Sequence, residues 1–299
     1  MYGELSQLLA PNCIKLNEPM QKHTTFKIGG PVDALVTPTT VGEIKAIKEY
    51  CHQNQLPLLV FGLGSNLLVT DKGLRGVAIK IGKNFNTVQV SDQEIYAQAG
   101  IRLSELARRA AKLSFTGMEF AEGIPGSLGG AVVMNAGAYG GEMQSVVWEV
   151  ETLNDRGVTQ VYSIQECEFS YRSSIFMRNG DIVLAARLRF GQGDRDAINR
   201  TMQEYARQRR EKQPLEYPSA GSVFKRPAGL YVGPMIEELG LKGFRIGGAE
   251  VSVKHAGFIV NRGGAKASDV LDLIKIIQQK ALERFGVELQ TEIRVVGEL

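Results

Sequence analysis

The sequence has few of the residues that build metal sites and cross-linked scaffolds. Of its 299 residues, three are cysteine and three are histidine. Cys13, Cys51 and Cys167 lie far apart, and the sequence contains no CxxC pair and no Cys/His cluster. This spacing disfavours a zinc site or a disulfide framework and favours free thiols. We therefore expect no bound metal.

Long hydrophobic runs and strong net charge are also absent. No apolar run reaches the roughly 20 residues that cross a bilayer. The first residues show no basic stretch followed by an apolar one, unlike a signal peptide, so we expect a cytoplasmic protein with no membrane partner. The net charge of +3 and the lack of a Lys/Arg-rich run disfavour nucleic acid as a partner.

Glycine, in contrast, is abundant and clustered. The chain contains 34 glycines, with dense groups around 29–30, 62–64, 123–141, 247–248 and 263–264. Such clusters mark loops in which the backbone comes close to another group. Tight turns alone account for part of them.

The hydrophobic periodicity predicts a mixture of helices and strands. A chain of this length exceeds what one core usually holds, and the polar segment 191–194 is the best candidate boundary. We expect one domain at 1–192, made of two lobes of about 1–82 and 83–192, and a second domain at 195–299. Whether the last strand returns to pack on the first lobe is left open. Helices are predicted at 41–54, 103–113, 197–211, 234–239 and 268–285; the last is capped by Ser268 and has Leu271, Ile274, Leu282 and Phe285 on its apolar side. Strands are predicted at 58–61, 77–81, 94–99, 147–153, 158–164, 182–190 and 292–296, and those at 147–153 and 158–164 are expected to form a hairpin across the turn at 154–157.

The first motif that suggests chemistry is Phe61-Gly-Leu-Gly-Ser-Asn66, directly after a predicted strand. Its glycines would let backbone N–H groups approach a phosphate, and Ser65 and Asn66 add side-chain donors. The motif is neither GxGxxG nor a P-loop. Taken alone it is a weak signal, and a plain turn explains it equally well.

The second motif is Glu122-Gly-Ile-Pro-Gly-Ser-Leu-Gly-Gly130, which continues through Asn135 to Gly141. It holds too many glycines for a regular strand and is too apolar for a solvated linker. A loop wrapped around an aromatic ring and a pyrophosphate explains both features. A purely structural glycine-rich loop remains the alternative.

These two loops, preceded by Thr24-Thr-Phe-Lys-Ile-Gly-Gly-Pro31, resemble the FAD-binding domain of the vanillyl-alcohol-oxidase-like flavoproteins. Within that superfamily, Ile124-Pro-Gly-Ser-Leu-Gly-Gly-Ala131 and Asn135-Ala-Gly-Ala-Tyr139 resemble the UDP-N-acetylenolpyruvoylglucosamine reductase family. Three later segments match the same family, so the resemblance covers nearly the whole chain: Tyr171-Arg-Ser-Ser-Ile-Phe176, Pro218-Ser-Ala-Gly-Ser-Val-Phe-Lys225 and Leu289-Gln-Thr-Glu-Ile-Arg294.

The resemblance implies an α+β protein, with a two-lobed FAD-binding domain of the vanillyl-alcohol-oxidase type followed by an α+β substrate-binding domain. It implies non-covalent FAD, NADPH as the hydride donor, a UDP-sugar substrate and no obligate protein partner. The compact region between 190 and 212 resembles the shorter type of the family, which lacks a tyrosine loop. The implied cofactor-binding residues are Gly62, Gly64, Ser65, Asn66, Gly123, Ile124, Pro125, Gly126, Gly129, Gly130, Asn135, Ala136 and Gly137.

The same resemblance assigns the catalytic roles to Arg172, Ser222 and Glu292. Ser222 would donate a proton, Arg172 would stabilise charge on the substrate carboxylate, and Glu292 would hold the geometry. From the residues alone, Ser222 is not in a GxSxG elbow and would be an ordinary loop serine. The implied substrate contacts are Lys212, Lys225, Lys266 and Arg294, with Arg226 at a position where relatives carry asparagine.

Two other functions remain open at this point. A flavin oxidase of the same superfamily would tether its flavin covalently, and His23 is the histidine nearest an early flavin loop. A nucleotide-sensing module would use the glycine loops for binding only. Retention of yellow colour after denaturation would indicate the oxidase, and absence of NADPH-dependent bleaching would indicate the sensor.

Overall fold

The protein divides into two compact units, each with its own hydrophobic core. The computed structural model describes residues 2, 4–10 and 12–298. In chain order, the first unit comprises Met1–Leu16, Ala34–Leu63 and Gly76–Arg209, and the second comprises Asn17–Asp33, Gly64–Arg75 and Arg210–Leu299.

The units do not follow the boundary expected from the sequence. The polar segment 191–194 lies inside the first unit, and residues 17–33 and 64–75 belong to the second. These early segments contribute Phe26 and Leu68, both fully buried, to the core of the second unit. This polar, glycine-containing segment forms the short strand Gly191–Gln192 and does not mark a division, because buried contacts define a unit and local composition does not.

The five predicted helices are confirmed to within two residues at each end. The first begins with a capping box, in which the Glu43 N–H donates to Thr40 Oγ1 at 3.1 Å and the Glu43 carboxylate accepts from the Thr40 N–H. The helices of the described residues are α1 (Val41–Gln53), α2 (Leu103–Lys112), α3 (Leu128–Val133), α4 (Phe176–Asn179), α5 (Arg195–Lys212), α6 (Val232–Glu238) and α7 (Ala267–Phe285).

The strands are short, and several lie in segments where the sequence predicted none. They are β1 (Ile14–Pro19), β2 (Pro31–Val36), β3 (Leu58–Phe61), β4 (Leu67–Val69), β5 (Leu74–Lys80), β6 (Val88–Ser91), β7 (Glu94–Gln98), β8 (Phe115–Thr116), β9 (Gly137–Ala138), β10 (Gly141–Glu142), β11 (Val147–Leu153), β12 (Thr159–Ser163), β13 (Ile182–Arg189), β14 (Gly191–Gln192), β15 (Arg245–Ile246), β16 (Ala249–Val251), β17 (Ile259–Asn261) and β18 (Arg294–Val296).

In the first unit, a five-stranded sheet has the order β12-β11-β13-β7-β6, and β3 pairs in parallel with β5. The predicted hairpin is confirmed: β11 and β12 pair antiparallel with Leu153 opposite Thr159. In the second unit, β15, β16 and β17 form a small sheet. The last strand, β18, pairs in parallel with β4, so Arg294 lies opposite Leu67.

The buried face of helix α7 differs in part from the apolar face predicted from the sequence. The buried residues include Val270, Leu273 and Ile277, whereas Leu282, expected to face inward, is 54% exposed. The predicted cap Ser268 is also wrong. The carboxylate of Asp71 accepts the N–H groups of Ala267 (2.7 Å) and Ser268 (3.1 Å), so a distant residue caps this helix.

Two of the three thiols are deeply buried, and this generates a prediction. Burial raises the pKa of Cys51 to about 11 and, with a smaller effect of Glu166, that of Cys167 to about 12. Because the thiolate is the reactive form, neither residue should react with iodoacetamide in the native protein at pH 8, and both should react in urea. Peptide mass spectrometry after a short labelling pulse measures this. Equal labelling before and after denaturation would contradict it.

Candidate active site

In the first unit the two glycine loops predicted to share a ligand touch each other. A side chain at Gly62 would clash with the hydroxyl of Ser127, which is 2% exposed. By contrast, a Cβ at Gly82 or Gly140 would meet no atom within 4 Å. The same unit holds the other predicted loop residues: Gly123, Ile124, Pro125 and Gly126 before α3, Gly129 and Gly130 within it, and Asn135, Ala136 and Gly137 around β9.

Two of these residues face protein rather than open space. The Gly129 N–H donates to the Ala99 carbonyl at 2.9 Å, and a Cβ at Gly129 would lie 2.8 Å from Ala99 Cβ. Asn135 is fully buried, and its Nδ2 donates at 3.1 Å both to Glu142 Oε2 and to the Ser170 carbonyl. Gly129 and Asn135 are thus packed closely against residues of the chain itself.

The other end of the first glycine motif, Gly64 to Asn66, lies in the second unit. Asn66 is tied there to the segment that carries a predicted catalytic residue. Its Nδ2 donates to the Glu292 carbonyl at 3.0 Å, and its own carbonyl accepts the Arg294 N–H at 2.9 Å. Asn66 was predicted as a cofactor residue and Glu292 as catalytic, and backbone pairing now places them side by side.

Ser222 and Glu292 lie on two extended segments of the second unit that are joined by backbone hydrogen bonds. The Glu292 N–H donates to the Val223 carbonyl at 2.8 Å, and two positions further along, the Lys225 N–H donates to the Gln290 carbonyl at 2.8 Å. Both side chains are half-buried. The Ser222 hydroxyl donates to the Phe224 carbonyl at 3.2 Å. The proton of Ser222 is therefore held in a weak local bond.

His255 lies next to Ser222, a proximity that the sequence did not reveal. A Cβ at Gly257 would lie 3.0 Å from His255 Cε1 and 3.8 Å from Ser222 Oγ, so the two side chains flank the same glycine. The Gly257 N–H donates to His255 Nδ1 at 3.1 Å, which leaves the proton of the neutral ring on Nε2. Burial lowers the pKa of His255. The only sequence signal was that the chain has three histidines.

Arg172 lies in the first unit, at the tip of a tight turn. Ser170 and Ser173 exchange two backbone hydrogen bonds of 3.1 Å, with Tyr171 and Arg172 between them. Arg172 has φ 54°, a left-handed backbone conformation that residues other than glycine seldom adopt. Its Nη2 donates to the Gly137 carbonyl at 2.9 Å. The structure thus joins the predicted catalytic arginine to the second glycine loop.

Arg209, near the end of α5, is a further cation in the first unit that the sequence analysis did not single out. It is only 7% exposed, and its Cδ would lie 3.0 Å from a Cβ on Gly123. Its guanidinium lies 5.6 Å from the ring centroid of Tyr139, and burial lowers its pKa. Arginine is seldom buried this deeply, and the sequence pattern shows Arg209 only as one of several basic residues near the end of a predicted helix.

The predicted substrate-binding cations occupy different parts of the second unit. Lys225 and Arg294 lie on segments that pair around Glu292. Lys212 is the exposed last residue of α5. Lys266 is exposed and lines an open cavity of about 430 Å³ with Lys27, Gly30 and Asp71 among others; of the described residues, neither Ser222 nor Glu292 lines it.

His23, the candidate for a covalent flavin link, is engaged in the second unit. Its Nε2 lies 3.0 Å from Glu18 Oε1. Within the described residues, no group of three or more His, Cys, Asp or Glu side chains could hold a metal ion. A search of the same residues finds no helix with the length and apolar character needed to span a bilayer.

Comparison with known proteins gives consistent matches along the chain. Residues 213–296 match the family model of the UDP-N-acetylenolpyruvoylglucosamine reductase C-terminal domain, and residues 31–163 match an FAD binding domain. The chain is 56% identical over 298 residues to the UDP-N-acetylenolpyruvoylglucosamine reductase of Syntrophomonas wolfei, covering 100% of both chains. It is 50% identical to that of Caldanaerobacter subterraneus, covering 100% of this chain and 98% of the relative.

A solved structure is similar as well. The crystal structure of UDP-N-acetylenolpyruvylglucosamine reductase from Thermus caldophilus superposes with a TM-score of 0.81 at 38% identity. The match covers 94% of this chain and 97% of that one. The similarity in sequence and the similarity in fold therefore extend over nearly the same residues.

The burial of His255 predicts how the stability of the protein depends on pH. The unfolded chain takes up a proton near the ordinary histidine pKa of about 6.5, while the native imidazole resists protonation because its pKa is lowered. The free energy of unfolding should therefore fall as pH drops below about 6.5. His255→Gln should lose less stability than the wild type between pH 7.5 and 5.5 in urea titrations. An equal loss in both proteins would show that His255 titrates normally.

Proposed function

The chain belongs to the UDP-N-acetylenolpyruvoylglucosamine reductase family, and from this premise we propose that Ser222, Glu292 and Arg172 are its catalytic groups. The protein is a flavin-dependent oxidoreductase that uses NADPH to reduce UDP-N-acetylglucosamine enolpyruvate to UDP-N-acetylmuramate in peptidoglycan precursor synthesis. The observation that supports the assignment of residues is the backbone hydrogen bond from the Glu292 N–H to the carbonyl of Val223, the residue that follows Ser222.

The glycine loops of the first unit fit FAD. They approach each other closely at Gly62 and Ser127, and they leave open space at Gly140, where backbone without a side chain could meet a flat ring or a phosphate. When bound, FAD supplies the redox chemistry, because its isoalloxazine ring takes a hydride from NADPH and passes it to the enolpyruvyl group. We propose Gly62, Gly123–Gly126 and Gly130 as the backbone surface that holds it.

Ser222 is proposed as the proton donor to C2 of the enolpyruvyl group. Its hydroxyl is half-buried, and its present acceptor, the Phe224 carbonyl, is at 3.2 Å, so the proton can be redirected at little cost. The neutral His255 ring beside it adds no competing positive charge. These observations support a role for Ser222 as an acid.

Arg172 and Glu292 are proposed to act on the charge that develops in the reaction. When C3 of the substrate is reduced, negative charge builds up on the carboxylate side, and a fixed guanidinium stabilises it. The left-handed turn of Arg172 and its bond to Gly137 support such a fixed placement. Glu292 is fixed by its backbone bonds to Val223 and Asn66, which suits a group that orients the substrate.

The remaining assignments are also proposals. We infer that the first unit is the FAD-binding domain, supported by the family match at 31–163, and that the second binds substrate, supported by the match at 213–296. Lys225 and Arg294 are proposed for the anionic groups of the substrate, with Lys212 and Lys266 as further candidates. We place the enzyme in the cytoplasm, where NADPH and UDP-sugars are available, and no obligate protein partner is needed for the proposed chemistry.

The contact between the glycine loops predicts an effect on flavin content. Gly62→Ala should push the Ser127 hydroxyl and the second loop away, so the purified protein should lose most of its FAD, as judged by the ratio of absorbance at about 450 nm to that at 280 nm. Gly42→Ala, in α1, where an added Cβ would meet only Thr40 Oγ1 at 3.8 Å, is the matched control and should keep its flavin. Adding Ser127→Gly to Gly62→Ala should restore binding. Full flavin occupancy in Gly62→Ala would remove these loops from the cofactor site.

The role of Ser222 predicts a split between the two half-reactions. Reduction of the flavin by NADPH needs no proton at C2 of the enolpyruvyl group, so Ser222→Ala should bleach at a rate near that of the wild type in stopped flow. Reoxidation by substrate should slow by roughly 100-fold or more, as is typical for loss of a positioned acid. Ser219→Ala, three positions earlier in the same segment, should change neither rate. Equal slowing of both half-reactions in Ser222→Ala would make Ser222 a structural residue.

A further inference from the structure

Asn135 occupies an unusual place between the second glycine loop and the turn that carries Arg172. It is fully buried, has φ 42° and lies just before the hairpin formed by β9 and β10. The Gln144 N–H donates to its Oδ1 at 3.0 Å, and its Nδ2 donates to Glu142 Oε2 at 3.1 Å. One amide thus closes the base of this hairpin.

The same amide reaches a second segment. Asn135 Nδ2 also donates to the Ser170 carbonyl at 3.1 Å. Ser170 is the first residue of the four-residue turn whose tip is Arg172, and it exchanges two backbone bonds with Ser173. Asn135 therefore links the base of the hairpin to the base of the turn.

Arg172 is attached to this hairpin at its other end too. Its guanidinium donates to the carbonyl of Gly137, in β9. The backbone near Arg172 is thus fixed by the hydrogen bond between Ser170 and Asn135, and its guanidinium is fixed by the hydrogen bond to Gly137. Both bonds join the turn to the segment 135–137. On the far side of the turn, the Ser174 hydroxyl donates to the Val133 carbonyl at 2.7 Å. The turn is consequently tied on both sides to one short segment.

We propose that Asn135 is a positioning residue for Arg172, whose amide fixes the left-handed turn so that the guanidinium points where the substrate carboxylate is stabilised. This goes beyond an assignment of Asn135 to cofactor binding, and it rests on the proposed role of Arg172. A left-handed arginine is disfavoured locally, so the turn depends on tertiary bonds. Asn135 contributes a side-chain hydrogen bond to Ser170, the first residue of that turn.

The decisive variant is Asn135→Gly, which removes the amide and tolerates the positive φ. The full-length holoenzyme should keep its FAD, with the dissociation constant unchanged within about threefold, and should be bleached by NADPH at the wild-type rate. Reoxidation by UDP-N-acetylglucosamine enolpyruvate should slow by roughly 10- to 100-fold, the loss expected when a reacting group is misplaced by about an ångström. Asn179→Gly is the matched control. That residue bonds Tyr162 and Asp181 instead of the turn, and its variant should reoxidise normally.

A double-mutant cycle separates positioning from general structural damage. If Asn135 acts through Arg172, Asn135→Gly should slow reoxidation of the Arg172→Ala protein by less than about twofold, because the group to be positioned is already gone. An equal slowing in both backgrounds would overturn the proposal, as would loss of FAD from Asn135→Gly, which would make Asn135 a cofactor residue.

Ser174→Ala provides a second route if Asn135→Gly does not fold. It removes the other tether of the turn and should show the same non-additivity with Arg172→Ala, with a smaller slowing of roughly three- to tenfold. Additive behaviour would again overturn the proposal. If Arg172→Ala itself leaves reoxidation unchanged, the proposed function of Arg172 is wrong. If Arg172→Ala slows reoxidation and Asn135→Gly does not, only the positioning role of Asn135 fails.

Discussion

Backbone hydrogen bonding between extended segments is the constraint on which the second unit depends. The stretch from Ser222 to Lys225 forms backbone hydrogen bonds with residues 290–292, and the Val223 N–H donates to the Gly257 carbonyl. Asn66 in turn bonds to Glu292 and Arg294. Four regions that are distant in sequence meet here through main-chain atoms. Since these bonds do not involve the side chains proposed as catalytic, Ser222 or Glu292 can be replaced without loss of the framework that holds them.

In the first unit, side-chain hydrogen bonds provide the corresponding constraint. Arg172 is held in a left-handed turn, a conformation that costs about 1–2 kcal/mol for a residue other than glycine. Side-chain bonds from Asn135 and Ser174 and the bond from the guanidinium to Gly137 offset that cost. The placement of Arg172 therefore depends on particular side chains, and we expect its neighbourhood to tolerate substitution less well than the ladder around Ser222.

The elements that the sequence predicted well are those whose pattern is local and long. The apolar spacing of α1 and the turn between β11 and β12 specify their own structure, and both were confirmed. Short strands such as β4 have no such pattern, because three residues are too few to show alternation. The buried face of α7 was misjudged for another reason. The core to which it belongs includes Phe26 and Leu68, and Asp71 caps it; these residues are distant in the chain, and a helix pattern alone does not reveal them.

The sequence by itself determined the family of the chain: its motifs place it among flavin-dependent reductases, and they predict a serine, a glutamate and an arginine as catalytic groups. Tertiary structure alone decided what surrounds those groups. It divided the Phe61–Asn66 motif between two units, put His255 beside Ser222, and made the Asn135 amide a link to the turn of Arg172. The reason is physical. A motif records which residue types occur at nearby positions. Hydrogen bonds instead join residues that are 34, 35 or more than 200 positions apart, as in Val223–Gly257, Asn135–Ser170 and Asn66–Glu292, and these distances in the chain leave no local pattern.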